Sequence, residues 1–224
     1  MPSFLPSLGG GGGGLGSFIM KNLLLFLALC SCFACRNEQA KSTTTTKTEA
    51  TKQILKDTLP SSVVKEVLTL LKNKDYKTLA TLIHPMEGVR FSPYGYIDTV
   101  GHKHFTATQF LEAVNVPKQK KQNWGNYDGT GEVIDLTLNA YFEKFVYNAD
   151  FSNAPQIAFN KTISTGNAPN NIATVYQSAS FSESYFSGFD KKLEGMDWTA
   201  LRLVFKQYKD KWYLVGVVHN QWTS

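Results

Sequence analysis

Hydrophobic positions repeat with two different periods along this chain. Between residues 63 and 83 they recur three or four positions apart, the spacing of one helix face, and the polar pair Asn73-Lys74 divides the stretch into two short helices. The same spacing predicts a helix that begins at Thr106 or Thr108 and ends at Asn115, and another over 135–147 that Thr137 caps. The first half of the domain is therefore predicted to be mainly helical.

From residue 157 onwards the pattern changes to the alternation of strands that bury one face. Leu201 and Leu203 flank the charged Arg202, and the polar segment 209–211 separates the last two strands as a hairpin turn. The predicted strands are 157–163, 173–176, 180–186, 201–208 and 212–219. Helices followed by a run of strands are typical of an α+β fold, here with N-terminal helices packed on a curved antiparallel sheet.

A short apolar segment near the N-terminus has the layout of an export signal. Lys21 precedes an apolar run over 23–29, and the chain turns polar directly after Cys35. A membrane-spanning helix needs about 20 apolar residues, so this run is too short to span. We therefore predict a signal peptide over 20–35. The stretch 1–19, with six consecutive glycines and no charge, is predicted to lie upstream of a true start at Met20.

The cysteines at the end of the apolar run resemble the lipobox of bacterial lipoproteins, in which a cysteine is acylated and becomes the first mature residue. Cys32 has a small residue and a leucine upstream that suit the pattern, whereas Cys35 stands at the polar boundary. We favour Cys35 because Phe33 and Ala34 would be unusual at the start of a polar tether. Ordinary cleavage with release and an uncleaved anchor are the alternatives.

Composition divides the remainder into a tether and one domain. Residues 36–58 are rich in threonine and charge and have too few apolar residues to fold, so they are predicted to form a flexible tether. Residues 59–224 are predicted to form a single α+β domain without cysteine, hence without disulfides. The net charge of +5 is too small and scattered for nucleic-acid binding. The predicted location is the cell envelope, lipid-anchored to the membrane and facing the periplasm or the surface.

Five polar residues of the predicted domain are candidates for ligand binding. Arg90 lies between two apolar residues on a short predicted strand, where a basic side chain needs an acidic partner or binds a carboxylate or phosphate of a ligand. A histidine beside an acid could act as a general base. The candidates are His84, Arg90, Tyr94, Asp128 and His219, and the acids available to pair with them are Asp98, Asp128 and Asp150.

Metal and nucleotide chemistry is not indicated by the motifs. On a strand, His102 and His104 would face the same way, as zinc ligands can, but Lys103 lies between them and the flanking sequence is typical of a loop. The turn from Asp128 to Glu132 has too few acids for a calcium loop. Phosphate-binding loops, dinucleotide fingerprints and the common hydrolase motifs do not occur. We therefore predict no metal and no cofactor.

Three stretches together resemble a group of exported bacterial proteins known mostly as hypothetical lipoproteins. They are HPMEGVRFSPY at 84–94, YDGTG at 127–131 with DLT at 135–137, and the hairpin from LRLVF at 201–205 to HNQW at 219–222. That group has no established activity, so the resemblance implies a fold and a location but no reaction. The helical pair and long C-terminal hairpin are also similar to the nuclear transport factor 2-like fold, in which a curved sheet wraps a helix and leaves a pocket.

Three functions agree with these features. The first is a lipid-anchored envelope domain that binds a small ligand or an envelope protein and has no catalytic role. The second is a pocket hydrolase or isomerase-like enzyme that uses His84 or His219 with an acid. The third is a structural envelope lipoprotein. A concave pocket that gathers the candidate residues would favour the first two over the third.

Overall fold

The computed structural model describes residues 58–164, 166 and 169–223. The predicted upstream stretch, the signal peptide with Cys32 and Cys35, and nearly all of the tether lie outside the described residues. The helices are α1 (Ser61–Lys72), α2 (Tyr76–Thr81), α3 (Ala107–Asn115), α4 (Leu138–Tyr141), which a wider π turn continues over Phe142–Val146, and α5 (Ile172–Val175). Two 3-10 turns lie at Phe151–Asn153, before α5, and at Lys191–Leu193, after it. The strands are β1 (Val89–Ser92), β2 (His104–Phe105), β3 (Gln122–Asn126), β4 (Val133–Leu136), β5 (Gln156–Phe159), β6 (Ser180–Phe186), β7 (Thr199–Tyr208) and β8 (Lys211–Gln221).

The predicted α+β class is confirmed by helices that accompany a six-stranded sheet. The strand order of this sheet is β2-β1-β8-β7-β6-β5, and β3 pairs with β4 in a separate two-stranded sheet. The predicted hairpin of the last two strands is present as β7 and β8, antiparallel from Thr199 opposite Gln221 to Tyr208 opposite Lys211. Its register shifts between Val204 and Phe205, an irregularity of the kind that bends a strand and increases its twist.

One strand pair differs from the wholly antiparallel sheet that the sequence predicted. β1 runs parallel to β8, with Arg90 opposite Gly216 and Ser92 opposite Val218. The two strands come from opposite ends of the domain. Because no tight hairpin joins them, the connection does not impose an antiparallel direction. The sheet is therefore mixed, and the segment that follows the first helices lies between β2 and the C-terminal strand.

Local capping explains where the helices begin. Asp75 accepts a hydrogen bond from the amide of Thr78 at 3.0 Å, and Thr106 forms a capping box with Gln109 at the start of α3. Thr137 caps α4 as predicted. Ser61 and Ser62 are of a residue type that often caps helices, but neither caps α1, because the helix begins at Ser61 after Pro60 and has no side-chain cap. Within the described ranges, no helix is long and apolar enough to cross a membrane.

Several predicted boundaries are corrected by pairing elsewhere in the chain. The helix predicted over 135–147 begins only at Leu138, because residues 133–136 form β4. Its partner β3 is not among the predicted strands, because its sequence QNWGN has only one large apolar residue. Residues 173–175 belong to α5 instead of a strand, because so short an apolar run fits either structure, and Tyr176 caps the end of that helix. β5 ends at Phe159 because Asn160 adopts a left-handed φ of 52°.

An aromatic core fills the space between the helices and one face of the sheet. Phe91 of β1 is fully buried, and its ring lies within 6.5 Å of five other aromatic rings, centroid to centroid. Trp124 and Tyr141 stack beside it at a centroid distance of 3.9 Å. This cluster joins β1, β3 and α4, so the two-stranded sheet is packed against the main sheet through its tryptophan.

The opposite face of the sheet carries a buried ion pair. The side chains of Arg202 and Glu183 are 2% and 0% exposed, and Nε of Arg202 lies 3.4 Å from Oε1 of Glu183. Glu183 also accepts hydrogen bonds from the backbone amides of Ile163 and Ser164, and Arg202 donates to the Ser164 hydroxyl at 2.8 Å. These additional bonds offset part of the desolvation of the two charges and hold the 163–164 segment against the sheet.

The aromatic core predicts a large difference between two phenylalanine substitutions. Phe91→Ala removes a ring that is fully buried, so we expect the free energy of unfolding to fall by about 3–5 kcal/mol. Phe159→Ala removes a ring that is 40% exposed on the edge strand, and its loss should be well below that of Phe91→Ala. Chemical denaturation of both variants measures the difference. Equal losses of stability would contradict the central position of Phe91 in the aromatic core.

Candidate functional site

Three of the five candidate residues lie together around Phe145. The rings of Tyr94 and His219 each pack edge-on against the Phe145 ring at a centroid distance of 5.7 Å. The backbone amide of Asp128 donates to the Tyr94 hydroxyl, whose pKa is nevertheless raised because the side chain is partly buried. The Asp128 carboxylate accepts instead from the hydroxyl of Thr223 at 2.8 Å. The fold thus brings these residues together, but the Tyr94 hydroxyl and the Asp128 carboxylate are both hydrogen-bonded within the chain.

His219 is fully buried, and both of its ring nitrogens contact groups of the same chain. Its Nδ1 lies 3.0 Å from the carbonyl oxygen of Pro93, and its Nε2 lies 3.0 Å from the hydroxyl oxygen of Thr199. A carbonyl can only accept, so Nδ1 carries the proton and Nε2 accepts from Thr199. Complete burial lowers the pKa of His219 to about 4. The imidazole is therefore neutral at pH 7, with both nitrogens engaged.

His84 lies far from His219 and is also engaged. Its Nδ1 accepts from the backbone amides of Met86 at 3.3 Å and Glu87 at 2.9 Å, and burial lowers its pKa. Its own amide donates to the carbonyl of Leu214, five residues before His219 on β8. That separation corresponds to about 16 Å along a strand. The two histidines therefore cannot act on the same group of a ligand.

Neither histidine forms the acid pair that the enzyme hypothesis requires. Asp150 is bound to Lys72 at 2.7 Å, and that hydrogen bond is the main cause that lowers the pKa of Asp150 to about 2. The carboxylate of Asp98 accepts from the amide of Val100 at 2.8 Å and closes its own turn. In the part of the chain that the structure describes, no hydrogen bond joins His84 or His219 to a carboxylate.

Arg90 is a candidate residue that lines a groove on the protein surface. This groove, of about 460 Å³, is open and is lined by Arg90, residues 99–104 and Asn123. Arg90 donates through Nη1 to the carbonyl oxygen of His102 at 2.8 Å. Among the described residues, neither Arg90 nor Lys103 lies within ion-pair distance of a carboxylate. Neither cation is therefore paired directly with an acid within the described ranges, although the Asp98 carboxylate, whose pKa is lowered mainly by hydrogen bonds from the amides of Gly101 and Val100, lies close enough for Arg90 to lower that pKa further.

His102 supports the wall of this groove. Its Nδ1 accepts from the amide of Asp98 at 3.1 Å and lies 3.0 Å from the hydroxyl oxygen of Ser92. Burial is the main cause that lowers the pKa of His102 to about 4. Gly125 fits closely over the ring, since a Cβ at this position would lie 2.9 Å from it, and its φ of 112° suits glycine. These contacts fix the wall of the groove beside Arg90.

The sequence does not predict this groove. It singles out His102 and His104 only as a candidate metal pair. In the structure Nδ1 of His102 is engaged within the turn, and Nε2 of His104 hydrogen-bonds the carbonyl oxygen of Glu87. Within the described ranges, no group of three or more metal-ligating side chains comes together. The available signal was a run of basic residues directly after a tight Asp98–Gly101 turn.

The buried histidines predict a loss of stability in mild acid. The pKa of a histidine in the unfolded chain is about 6.5, whereas His219 and His102 have values of about 4 when folded. The unfolded chain therefore binds more protons between these values, so the free energy of unfolding should fall as pH falls from 6.5 to 4. For His219 alone the fall is roughly 3 kcal/mol.

Denaturation at a series of pH values tests this expectation. His219→Asn should be less stable at pH 7 and should have a flatter pH dependence between pH 6.5 and 4. His104→Asn, which changes an exposed histidine, should retain the dependence of the original protein. A stability that stays constant over this range in the unaltered protein would contradict the neutral, buried state of both rings.

Comparison with known proteins assigns this chain to no family. What the domain binds is therefore inferred from the charge and shape of its own surface. No protein-family model, no curated protein and no solved structure matches the sequence or the fold.

Proposed function

We propose that this protein is an exported lipoprotein whose domain binds an anionic ligand, a carboxylate or a phosphate, in the groove beside Arg90. The observation that carries the proposal is the positive charge of Arg90 and Lys103 in an open groove of about 460 Å³. Cationic side chains in a concave surface concentrate anions, and a guanidinium binds both carboxylates and phosphates in a defined geometry. The function proposed is binding, without a catalytic step.

The contacts of the groove favour an anion over a cation or an apolar molecule. The bond from Arg90 to the His102 carbonyl orients the guanidinium without neutralising it, because the carbonyl is uncharged. Asn123 uses its carboxamide oxygen to accept from the Gly125 amide at 2.8 Å, which leaves its NH2 group as a donor. Lys103 adds a second positive charge. Donors and cations thus predominate among the polar side chains that line the groove.

The proposed location rests on the sequence. A charged start, a short apolar run and a cysteine at the polar boundary support export and acylation at Cys35, with Cys32 as the alternative. The membrane would then be a partner through the lipid, and the 36–58 tether would hold the domain near the envelope surface. A small envelope molecule or an acidic group on an envelope protein is the ligand that fits this position. Membership in the group of exported hypothetical lipoproteins belongs to the same proposal.

The finer fold assignment is also a proposal. The N-terminal helices that pack on the aromatic core and the long β7–β8 hairpin support a variant of the nuclear transport factor 2-like fold. In that fold the curved sheet leaves a pocket around a helix, whereas here the rings of Phe91, Trp124 and Tyr141 occupy the space between helices and sheet. For this reason we assign the ligand to the groove at the β1–β2 edge.

Binding of inorganic phosphate tests the anionic groove. Arg90→Gln should weaken phosphate binding at least tenfold, because it removes the oriented charge, and Lys103→Gln should have a smaller effect. Lys74→Gln is the matched control, since Lys74 is an exposed cation outside the groove and pairs with Glu143. Amide chemical shifts of residues 99–104 on titration give the affinity and the position. Phosphate binding that Arg90→Gln leaves unchanged would refute the proposal.

Lipid attachment is tested separately on the cysteines. We expect Cys35→Ser to abolish the acylated N-terminal peptide in mass spectrometry and to release the protein from the membrane fraction. Cys32→Ser should leave both unchanged. The reverse result would assign the lipid to Cys32. An unacylated protein in both the original chain and the variants would refute the anchor, while the result for the phosphate groove would stand.

A further inference from the structure

A second groove lies at the tip of the β7–β8 hairpin and shares no lining residue with the groove beside Arg90. Its volume is about 410 Å³, and it is open to solvent. The residues that line it are Gln177, Ser178, Ser180, Lys206, Gln207 and Trp212. An indole, two hydroxyl groups and two carboxamides thus surround one concave surface.

The charge of this groove is neutralised within the chain. Nζ of Lys206 donates to both carboxylate oxygens of Glu87, at 3.0 and 2.8 Å. The side chain of Lys206 is 20% exposed, so its charge is held in the pair and is partly shielded from solvent. No other lining residue ionises near pH 7. The groove therefore lacks the uncompensated charge that attracts an anion, in contrast to the groove beside Arg90.

The sequence positions the polar groups on two facing segments. Trp212 and Gln207 are opposite each other in the antiparallel hairpin, and the Trp212 side chain packs in part against the main core. Gln177 and Ser178 lie in the turn between α5 and β6, where Ser178 adopts a left-handed φ of 60°. The turn presents hydroxyl and carboxamide groups beside the indole.

We infer that this second groove binds a neutral saccharide. A pyranose has an apolar C–H face that packs on an aromatic ring and a rim of hydroxyl groups that both donate and accept hydrogen bonds. Carboxamides and hydroxyls also do both, which matches that rim without requiring charge. Trp212 supplies the aromatic surface, and Gln177 and Ser178 supply polar groups on an exposed turn. The inference does not depend on the anionic ligand proposed for the other groove.

Calorimetric titration of the full-length protein with chitotetraose and with cellotetraose tests this inference. We expect saturable binding of at least one of these neutral oligosaccharides. Loss of the indole surface in Trp212→Ala should weaken the binding roughly tenfold. Trp222→Ala is the matched control, because Trp222 is 41% exposed and does not line the groove, and it should leave the affinity unchanged.

Two further variants keep the test informative if Trp212→Ala perturbs the packing of the hairpin. Gln177→Ala and Ser178→Ala change exposed side chains, so folding should be retained while saccharide affinity falls several-fold. Sodium chloride at 0.5 M should not weaken the saccharide complex, whereas it should weaken phosphate binding beside Arg90. Absence of binding by both oligosaccharides, or affinity that Trp212→Ala, Gln177→Ala and Ser178→Ala all leave unchanged, would overturn the inference.

Discussion

The parallel register between β1 and β8 is the constraint on which the rest of this domain depends. The His84 amide begins the pairing by donating to a β8 carbonyl at 3.0 Å, and Nδ1 of His219 ends it, 3.0 Å from the Pro93 carbonyl. Side chains alternate along a strand, so this register directs Phe91 into the aromatic core and Arg90 to the opposite face. A shift by one residue would exchange them and would place the guanidinium in the aromatic core.

His84 and His219 therefore stabilise the two ends of the β1–β8 pairing. This structural role explains why polar residues occur at these apolar positions of the sequence. A polar residue among apolar neighbours needs a partner, and the partners of His84 and His219 are backbone or hydroxyl groups of the same chain. Arg90 differs because a carbonyl orients its charge but does not cancel it. Lys206, in the hairpin groove, is cancelled by Glu87. One sheet thus presents two grooves, one with a positive charge that is not directly paired and one whose charge is neutralised.

Local signals were readable from the sequence, whereas contacts between distant residues were not. Thr106 and Thr137 each cap a helix through an amide three residues away, so both caps could be predicted from the sequence alone. The parallel β1–β8 pair joins residues more than a hundred positions apart, and no local pattern specifies its direction. The polar strand β3 depends on Trp124 packing against the core. The site residues were recognisable by type, but the groove arises from the turn before β2, whose shape no residue type reveals.

The pairing of β1 with β8 also governs when this protein can fold. The bond between Pro93 and His219 closes a segment of 126 residues, so β1, with its short partner β2, cannot join the rest of the sheet until the last strand is available. Contacts of such large sequence separation slow folding, because the loop entropy is lost before the contact is gained. For the export proposed above, this order of events would be an advantage, because a sheet that is completed by its last strand leaves the chain incompletely folded until its C-terminus has crossed the membrane.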